Sequence, residues 1–315
     1  MSTQGDGKYE KAAKQSQRHV FAAYLGLIAL ILVAVLFFHG GSDSNSSEQG
    51  APPLHLKKSA IFDADSPHEM IMKKPEISTE DLEKKVVDLD QMVRAIKDRV
   101  DIFETNDEAL AAAKSLQDAT RELLHRRYGL QEPYRVVVEL EFQDTISDFN
   151  ENGSHGSFTI DLAPSSLQPH SIYTFLEVAR QWKGGAFHRI AHHVLQVMVK
   201  THTVKHLAFQ EYSPEYPHKA GTVGYAGRPS GPAFYVSIQD NSKNHGPGSQ
   251  QAHNPYEADS CFGTVVEGYE HVLRIRKVEG MGFLGDAKRH VLIKSMAIQV
   301  PQGDDYEDWH DEVKV

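Results

Sequence analysis

The sequence predicts a mainly β domain, a closed antiparallel β-barrel capped by two helices, preceded by a transmembrane helix and a coiled-coil-like helix. Three observations predict it: an uncharged apolar run over residues 20–38, a heptad-like apolar pattern from Leu82, and short alternating apolar segments from Tyr134 onward. The net charge of −10, without a basic stripe, argues against a nucleic-acid partner. Cys261 is the only cysteine, so no intrachain disulfide forms, and its apolar surroundings favour a buried small side chain.

Residues 19–39 are predicted to form an uncleaved signal anchor through which the chain associates with a membrane. At about 1.5 Å per residue the apolar run spans the hydrocarbon core, and it exceeds the roughly 7–15 apolar residues of a cleavable signal peptide, which is the alternative. Lys and Arg residues precede it in the tail over residues 1–18, whereas residues 39–56 carry none. The expectation is therefore a type II protein with its C-terminal bulk lumenal or extracellular, in the ER or Golgi. The sequon at Asn152 would then face the glycosylation machinery.

Two segments connect the anchor to the C-terminal domain. Residues 40–77 are rich in Gly, Ser and Pro and are predicted to be a flexible linker. Residues 78–128 are predicted to be helical, with Ser78 or Thr79 as the N-cap. Their apolar residues alternate at spacings of four and three, which is typical of a two-stranded coiled coil and of self-association; an amphipathic helix lying on the neighbouring domain explains the same pattern. These residues are Leu82, Val86, Leu89, Val93, Ile96, Val100 and Phe103.

The C-terminal domain is predicted to span residues 133–301. Alternating segments YRVVVELEFQ and SFTIDL flank a Gly-bearing loop and predict a hairpin, and Pro169 opens an amphipathic helix. Short strands follow, then a second short helix over residues 269–278 and a closing strand, HVLIKSMAIQV. Many antiparallel strands with two helices predict a closed, capped barrel. Residues 302–315 are predicted to be an acidic disordered tail.

The order of five segments carries a resemblance to a known family. GSFTIDLAPSSLQPHSIYTFLEVAR, GGAFHRI, GTVGYAG, FYVSI and FGTVVEGYEHVLRI follow one another as in a cyclophilin-type peptidyl-prolyl isomerase, over about residues 134–300. The resemblance implies isomerisation of X-Pro bonds in proline-containing peptide or protein segments, without a cofactor. It also makes Arg189 the catalytic residue, because a fixed guanidinium stabilises the lone pair of the prolyl nitrogen as the amide twists.

The resemblance implies substrate-binding residues as well, and departures from the family pattern limit what they do. The glutamine that assists the arginine is absent from its register, although Gln196 lies one position away. The segment 254–259 lacks the family's Trp and His, which predicts weak activity and poor binding of cyclosporin-type ligands. The clustered histidines lie in strand and loop without a completing carboxylate, so no metal site is predicted. The implied substrate-binding residues are His188, Leu195, Ala226, Phe234 and Tyr235.

Three hypotheses for function follow. The first is a membrane-anchored peptidyl-prolyl isomerase of reduced activity that acts on secretory-pathway proteins. The alternative is a non-catalytic cyclophilin-like module that binds peptides or partners. An assembly protein acting through residues 78–128 is compatible with either.

Overall fold

A computed structural model of the protein describes residues 77–201, 203–250 and 253–310. The predicted tail over residues 1–18, the anchor over residues 19–39 and nearly all of the linker lie outside the described residues. No helix within the described ranges combines the length and the apolar character that crossing a bilayer requires.

The described part begins with a pair of helices, α1 (Thr79–Lys97) and α2 (Asp107–Tyr128). The side chain of Ser78 accepts a hydrogen bond from a backbone N–H in the first turn of α1, and Asn106 does the same for α2. Both are therefore N-caps, which satisfy backbone donors that have no partner inside the helix. The connection between the helices breaks the single long helix that the sequence predicted.

The apolar seam of α1 is buried inside the chain. Its residues pack against α2, where Leu116 and Leu123 are fully buried in the same cluster, and against Phe209 of the following domain. The structure therefore corrects the coiled-coil prediction: the chain folds back after Lys97, and the seam covers its own neighbour. Self-association would have to use another surface. The buried seam residues are Leu82, Val86, Val93, Ile96 and Phe103.

Ten strands and four further α-helices follow in the described part of the chain. The strands alternate in direction, and every pairing among them is antiparallel. The bounds are β1 Arg135–Glu141, α3 Phe149–Asn152, β2 His155–Leu162, α4 Pro169–Arg180, β3 Gly185–Ile190, β4 Val194–Val199, β5 Thr222–Tyr225, β6 Phe234–Ser237, α5 Ser242–His245, β7 Cys261–Glu267, α6 Tyr269–Arg274, β8 Gly282–Phe283, β9 Val291–Gln302 and β10 Asp305–Asp308.

Eight of these strands close into a barrel in the order β9-β1-β2-β7-β5-β6-β4-β3, and β3 pairs back with β9. The predicted closed antiparallel barrel with two capping helices, α4 and α6, is confirmed. Two short strands were not predicted: β8 adds to β3, and β10 adds to β9. The predicted burial of Cys261 is also correct, since its side chain is fully buried and free.

The core fills the barrel interior and the space beneath α4. Along β1, Val136, Val138 and Leu140 are buried and alternate with exposed or half-buried residues, as a strand with one buried face requires. Phe175 of α4 lies edge-on to Phe234 of β6, with ring centroids 5.2 Å apart. Apolar alternation in the strands and one apolar face on α4 therefore build this core together.

The tail differs from its prediction. Residues 305–308 form β10 against β9, and the ring of Trp309 lies 4.8 Å from that of Tyr128 on α2. The indole N–H of Trp309 also donates to the backbone oxygen of Arg127 at 3.1 Å. This part of the acidic tail is therefore ordered, because backbone pairing and one aromatic anchor hold it in spite of its charge.

Glu211 joins the helical pair to the barrel. This buried carboxylate accepts hydrogen bonds from Gln117 on α2 and from the backbone N–H of Ser171 in the first turn of α4. Burial raises the pKa of Glu211 above its ordinary value, although these hydrogen bonds oppose the shift. The contact caps α4 and fixes α2 against it.

Candidate functional site

Arg189 lies on β3, directly after a tight approach between backbone segments. A Cβ atom at Gly185 would meet the backbone oxygen of Met198 at 2.5 Å and the ring of Trp182 at 2.6 Å. Only glycine therefore lets β3 run this close to β4 and to the end of α4. The Gly pair before the Phe-His-Arg motif therefore determines where β3, which carries Arg189, lies.

The guanidinium of Arg189 is held by two neighbours and is half-buried. Its Nη1 donates to Oε1 of Gln196 at 2.9 Å, and its Cζ lies 5.1 Å from the ring centroid of Phe283. No described carboxylate forms an ion pair with it. Most of its five N–H donors are therefore uncommitted.

A β-bulge brings Gln196 to Arg189. The pairing of β3 with β4 shifts between Phe187 and Arg189, so that Arg189 faces Gln196 and Phe187 faces Val197. The assisting glutamine that the sequence placed one position out of register is thus beside the arginine after all. A bulge inserts one residue on one strand, which alters which side chains meet.

The strands that carry Arg189 have an inner and an outer face. On the inner face, Leu195 and Phe234 are fully buried in the barrel core, and Phe234 packs edge-on against α4. The implied role of these two residues in substrate binding has no support in this geometry, because alternation points them away from the face of Arg189. On the outer face, Arg189 pairs with Gln196, and Gln196 pairs with Tyr235 on β6.

The remaining implied site residues lie around this face. His188 is half-buried, its ring centroid lies 5.5 Å from that of Phe283, and burial lowers its pKa. Ala226 is half-buried after β5, where its N–H donates to the backbone oxygen of Ala233 at 2.9 Å. The structure thus brings Arg189 and His188 together at Phe283 and leaves Ala226 on the far side of Tyr235.

Tyr235 is not open to solvent. It is 2% exposed, and its hydroxyl donates to Oδ2 of Asp259 at 3.0 Å. Its ring centroid lies 4.8 Å from that of His245, and its hydroxyl lies 3.3 Å from Nδ1 of His218. The tyrosine that was expected to line a proline pocket is therefore covered by the chain's own side chains.

Asp259 is the centre of this group, which we call the Asp259 cluster: Tyr235, His218, His245, Arg228 and Asp259. Its carboxylate forms an ion pair with Arg228 and a hydrogen bond with Nδ1 of His245. Burial alone would raise the pKa of Asp259, but these two partners outweigh burial and hold the pKa below its usual range. A buried, ionised carboxylate with several partners is a fixed structural charge.

The Asp259 cluster was not predicted from the sequence. Asp259 was noted only as a residue that replaces the family's His, and His218, His245 and Arg228 were not singled out. They come from three separate connections between strands, one of which contains α5, so neither spacing nor periodicity joins them. The one available signal was a run of small and apolar residues, Ala258 to Phe262, that includes one acid.

A cleft of about 510 Å³ adjoins this cluster, and we call it the hairpin cleft. Its walls are the end of α1 with the loop after it, and three loops of the barrel domain. Arg228 belongs to both the cleft and the Asp259 cluster, whereas Arg189 does not line the cleft. The lining residues are Arg94, Lys97, Asp98, Val100, Asp101, Phe103, Glu104, Leu207, Ala208, Gln210, Arg228, Pro229, His253, Asn254 and Glu257.

Comparison with known proteins agrees with the resemblance. Residues 146–298 match the family model described as cyclophilin type peptidyl-prolyl cis-trans isomerase. Among solved structures, the chain is similar to a cyclophilin type peptidyl-prolyl cis-trans isomerase from Cryptosporidium parvum, with 15% identity and a TM-score of 0.38. That likeness covers 54% of this chain and 99% of the other. No curated protein matches the chain. The matched residues include Arg189 and the whole Asp259 cluster but not α1 or α2.

Proposed function

Residues 146–298 belong to the cyclophilin-type peptidyl-prolyl isomerase family, and from this premise we propose that the domain binds proline-containing polypeptide segments at the face of Arg189, with little or no isomerase activity. The observation that carries the proposal is the burial of Tyr235 beneath the Asp259 cluster. Prolyl isomerisation needs an apolar, water-poor hollow beside the guanidinium, in which the ring is gripped while the amide twists. Tyr235 lies on the same face as Arg189, two strands away, and is covered by hydrogen-bonded side chains, which supports a face without such a hollow.

The surroundings of Arg189 support binding. Its guanidinium keeps N–H donors free for the backbone oxygens of a segment, and Phe283 beside it is 69% exposed. Met281, also exposed, extends this apolar surface. A cation with uncommitted donors beside an exposed aromatic ring suits a polypeptide, which offers carbonyl oxygens and apolar side chains in alternation.

Weak isomerisation is the second candidate, and the contact between Arg189 and Gln196 favours it. The hydrogen bond of 2.9 Å fixes the guanidinium, which stays charged at all working pH values and donates in a rigid fork. A fixed donor that reaches a prolyl nitrogen lowers the barrier without any covalent step.

One experiment separates the two candidates. The full chain is assayed for isomerisation by NMR exchange and for binding of a proline-containing peptide, as wild type and as Arg189→Ala, with exposed Arg276→Ala as the matched control. We expect background isomerisation for all three proteins and binding that Arg189→Ala weakens by about tenfold, the loss of one charge-assisted contact. Clear isomerisation that only Arg189→Ala removes would establish the second candidate. Binding that Arg189→Ala leaves unchanged would refute the proposal.

We also propose that the anchor over residues 19–39 holds this domain in the lumen of the secretory pathway, where its clients would be found. The asymmetry of Lys and Arg around the apolar run supports this topology. Asn152 is exposed at the end of α3, so the sequon is accessible. We expect the full chain in cells to shift in mobility on glycosidase treatment and Asn152→Gln to abolish the shift. Labelling of the domain by a reagent confined to the cytosol would refute the topology.

A further inference from the structure

The hairpin cleft has the size and the wall chemistry of a ligand site. Its volume of about 510 Å³ falls within the roughly 300–1,000 Å³ of small-molecule sites. One wall is the end of α1 with the loop after it, which lies outside the residues that match the family. The cleft is therefore a feature that this chain builds with its helical pair.

Charges of both signs line the cleft. Burial lowers the pKa of Lys97, Glu257 and Glu104 oppose that shift, and Arg228 adds to it. Arg228 also forms an ion pair with Glu257, with Nε and Oε2 3.4 Å apart. Lys97 has neither a hydrogen bond nor an ion pair with any described residue. Its ammonium is therefore a half-buried cation that lacks a fixed partner.

Two buried polar atoms at the cleft are also without a hydrogen-bond partner. Nη2 of Arg228 is one, although the rest of that guanidinium is fixed by Asp259 and lies 3.4 Å from Glu257. Oε2 of Glu257 is the other, on a side chain that is 9% exposed. Oε2 forms an ion pair with Nε of Arg228 but accepts no hydrogen bond. Buried donors and acceptors in folded proteins almost always have hydrogen bonds, so a donor and an acceptor that lack them side by side point to a ligand with both kinds of group.

The remaining walls are partly polar and partly apolar, and the polar residues are Asp98, Asp101, Gln210, His253 and Asn254. Val100 and Phe103 of the loop after α1 and Ala208 of the barrel domain line the cleft between the charged residues. Arg94 adds no free charge, because it donates to Asp90 through hydrogen bonds of 2.7 and 3.1 Å. The site thus offers the ammonium of Lys97 without a fixed partner, the adjacent charges of Arg228 and Glu257, and an apolar patch beside them.

We propose that the hairpin cleft binds a small zwitterion with an apolar side chain, either a free amino acid or a dipeptide. Its carboxylate would contact Lys97 and Arg228, and its ammonium would contact Glu104 and Glu257. The site is separate from the face of Arg189 and does not depend on the function proposed for that face.

The test uses the full chain and calorimetric titration with leucyl-leucine, with its N-acetylated amide and with inorganic phosphate. We expect leucyl-leucine to bind, and neither the capped peptide nor phosphate to do so. Lys97→Gln should weaken binding at least about tenfold, as the loss of one charge-assisted contact predicts. Lys85→Gln, on an exposed lysine of the same helix, and Arg189→Ala should leave it unchanged.

Each other outcome overturns the proposal. Equal binding of the capped peptide would make this an apolar site, and competition by phosphate would make it an anion site. An unchanged affinity of Lys97→Gln, with thermal unfolding like that of the wild type, would place the ligand elsewhere. The absence of heat with leucyl-leucine up to about 10 mM would leave no zwitterion site of useful affinity.

Discussion

The inner and outer faces of the strands β3 to β6 are built by different rules. The inner face consists of apolar side chains that pack on one another and on α4, such as Leu195, Val197 and Phe234. The outer face carries Arg189 and Gln196 at one end and Tyr235 beneath the Asp259 cluster at the other. Inner residues meet through the sheet register, as Arg189, Gln196 and Tyr235 also do, whereas the residues that cover Tyr235 come from the connections between strands.

The inner face stabilises the barrel through apolar burial, whereas the outer face depends on a buried polar cluster. An apolar face tolerates exchange among residues of similar volume, because burial is non-directional. A buried polar cluster requires every partner, since each missing one leaves an unpaired charge or donor. In this chain the cluster covers Tyr235, so the contacts that stabilise the outer face also close this side chain to solvent.

The largest expected effect is on stability, from Asp259→Ala. The substitution removes the carboxylate that pairs with Arg228 and His245 and accepts from Tyr235. Because one half of a buried ion pair is left without compensation, we expect a loss of about 3–5 kcal/mol in the free energy of unfolding. Urea titration followed by circular dichroism measures it.

The control for this prediction is Asp240→Ala, which removes an ion pair with Lys219 on the exposed surface. It should change the midpoint of unfolding little. If Asp259→Ala were as stable as this control, the cluster would not hold the outer face together, and the covering of Tyr235 would lose its physical basis.

The second prediction concerns Leu195, which the resemblance placed in substrate binding and the structure places in the core. Leu195→Ala should cost about 2–5 kcal/mol, because it leaves a cavity inside the barrel. Gln196→Ala, the next residue on the same strand, should cost about 0.5–1.5 kcal/mol, the worth of one hydrogen bond. Peptide binding at 10 °C should show the reverse order, weaker for Gln196→Ala and unchanged for Leu195→Ala. A surface role for Leu195 would show as weaker binding with unchanged stability.

The fold was predictable from the sequence because its determinants are local. The strands lay close to where alternation placed them, and Pro169 opened α4. The errors have one cause, a dependence on distant contacts. The seam of α1 looked like a coiled coil because the pattern does not say which surface covers it, and β10 was missed because its pairing with β9 overrides its charge.

The site was predictable only in part, for the same reason. Arg189 was found through a short motif, but its contact with Gln196 depends on a bulge that no composition signals. The Asp259 cluster depends on the meeting of three connections between strands, and its members are ordinary polar residues in the sequence. Spacing along the chain therefore identified the arginine but not what surrounds it.

The third prediction concerns the pH dependence of stability that the buried His218 of the outer face causes. Burial lowers the pKa of His218 from 6.5 to about 4, so between these values the unfolded chain binds a proton that the folded chain does not. Stability is therefore complete above pH 6.5 and falls toward pH 4, by about 3 kcal/mol from this residue. Burial also lowers the pKa of His170, beneath the helical pair, to about 4. This residue therefore causes a further loss of stability as the pH falls.

Unfolding free energies at pH 7 and pH 4.5 for the wild type and His218→Gln measure this effect. The variant should lose part of the pH dependence, since Gln does not titrate, whereas His170 and the half-buried His188 keep their lowered pKa values. Asp259 does not interfere: its lowered pKa gives stability that persists through this window and is lost only at more acid pH. An unaltered pH dependence in His218→Gln would mean that the buried ring is not the source.

The smallest expected effect on stability, from Phe283→Ala, is the sharpest test of the outer face as a binding surface. Phe283 is 69% exposed and lies 5.1 Å from the guanidinium of Arg189, so the lost cation–π contact should cost only about 0.5–1 kcal/mol. Peptide affinity should nevertheless fall about fivefold, because the ring supplies apolar surface beside the donors of Arg189. Phe283→Tyr keeps a ring and should retain both properties, and Leu130→Ala, another exposed apolar residue, should change neither. If Phe283→Ala left the peptide affinity intact, binding would be confined to Arg189. If Leu130→Ala lost as much affinity as Phe283→Ala, the peptide would bind exposed apolar groups non-specifically and not at a defined face.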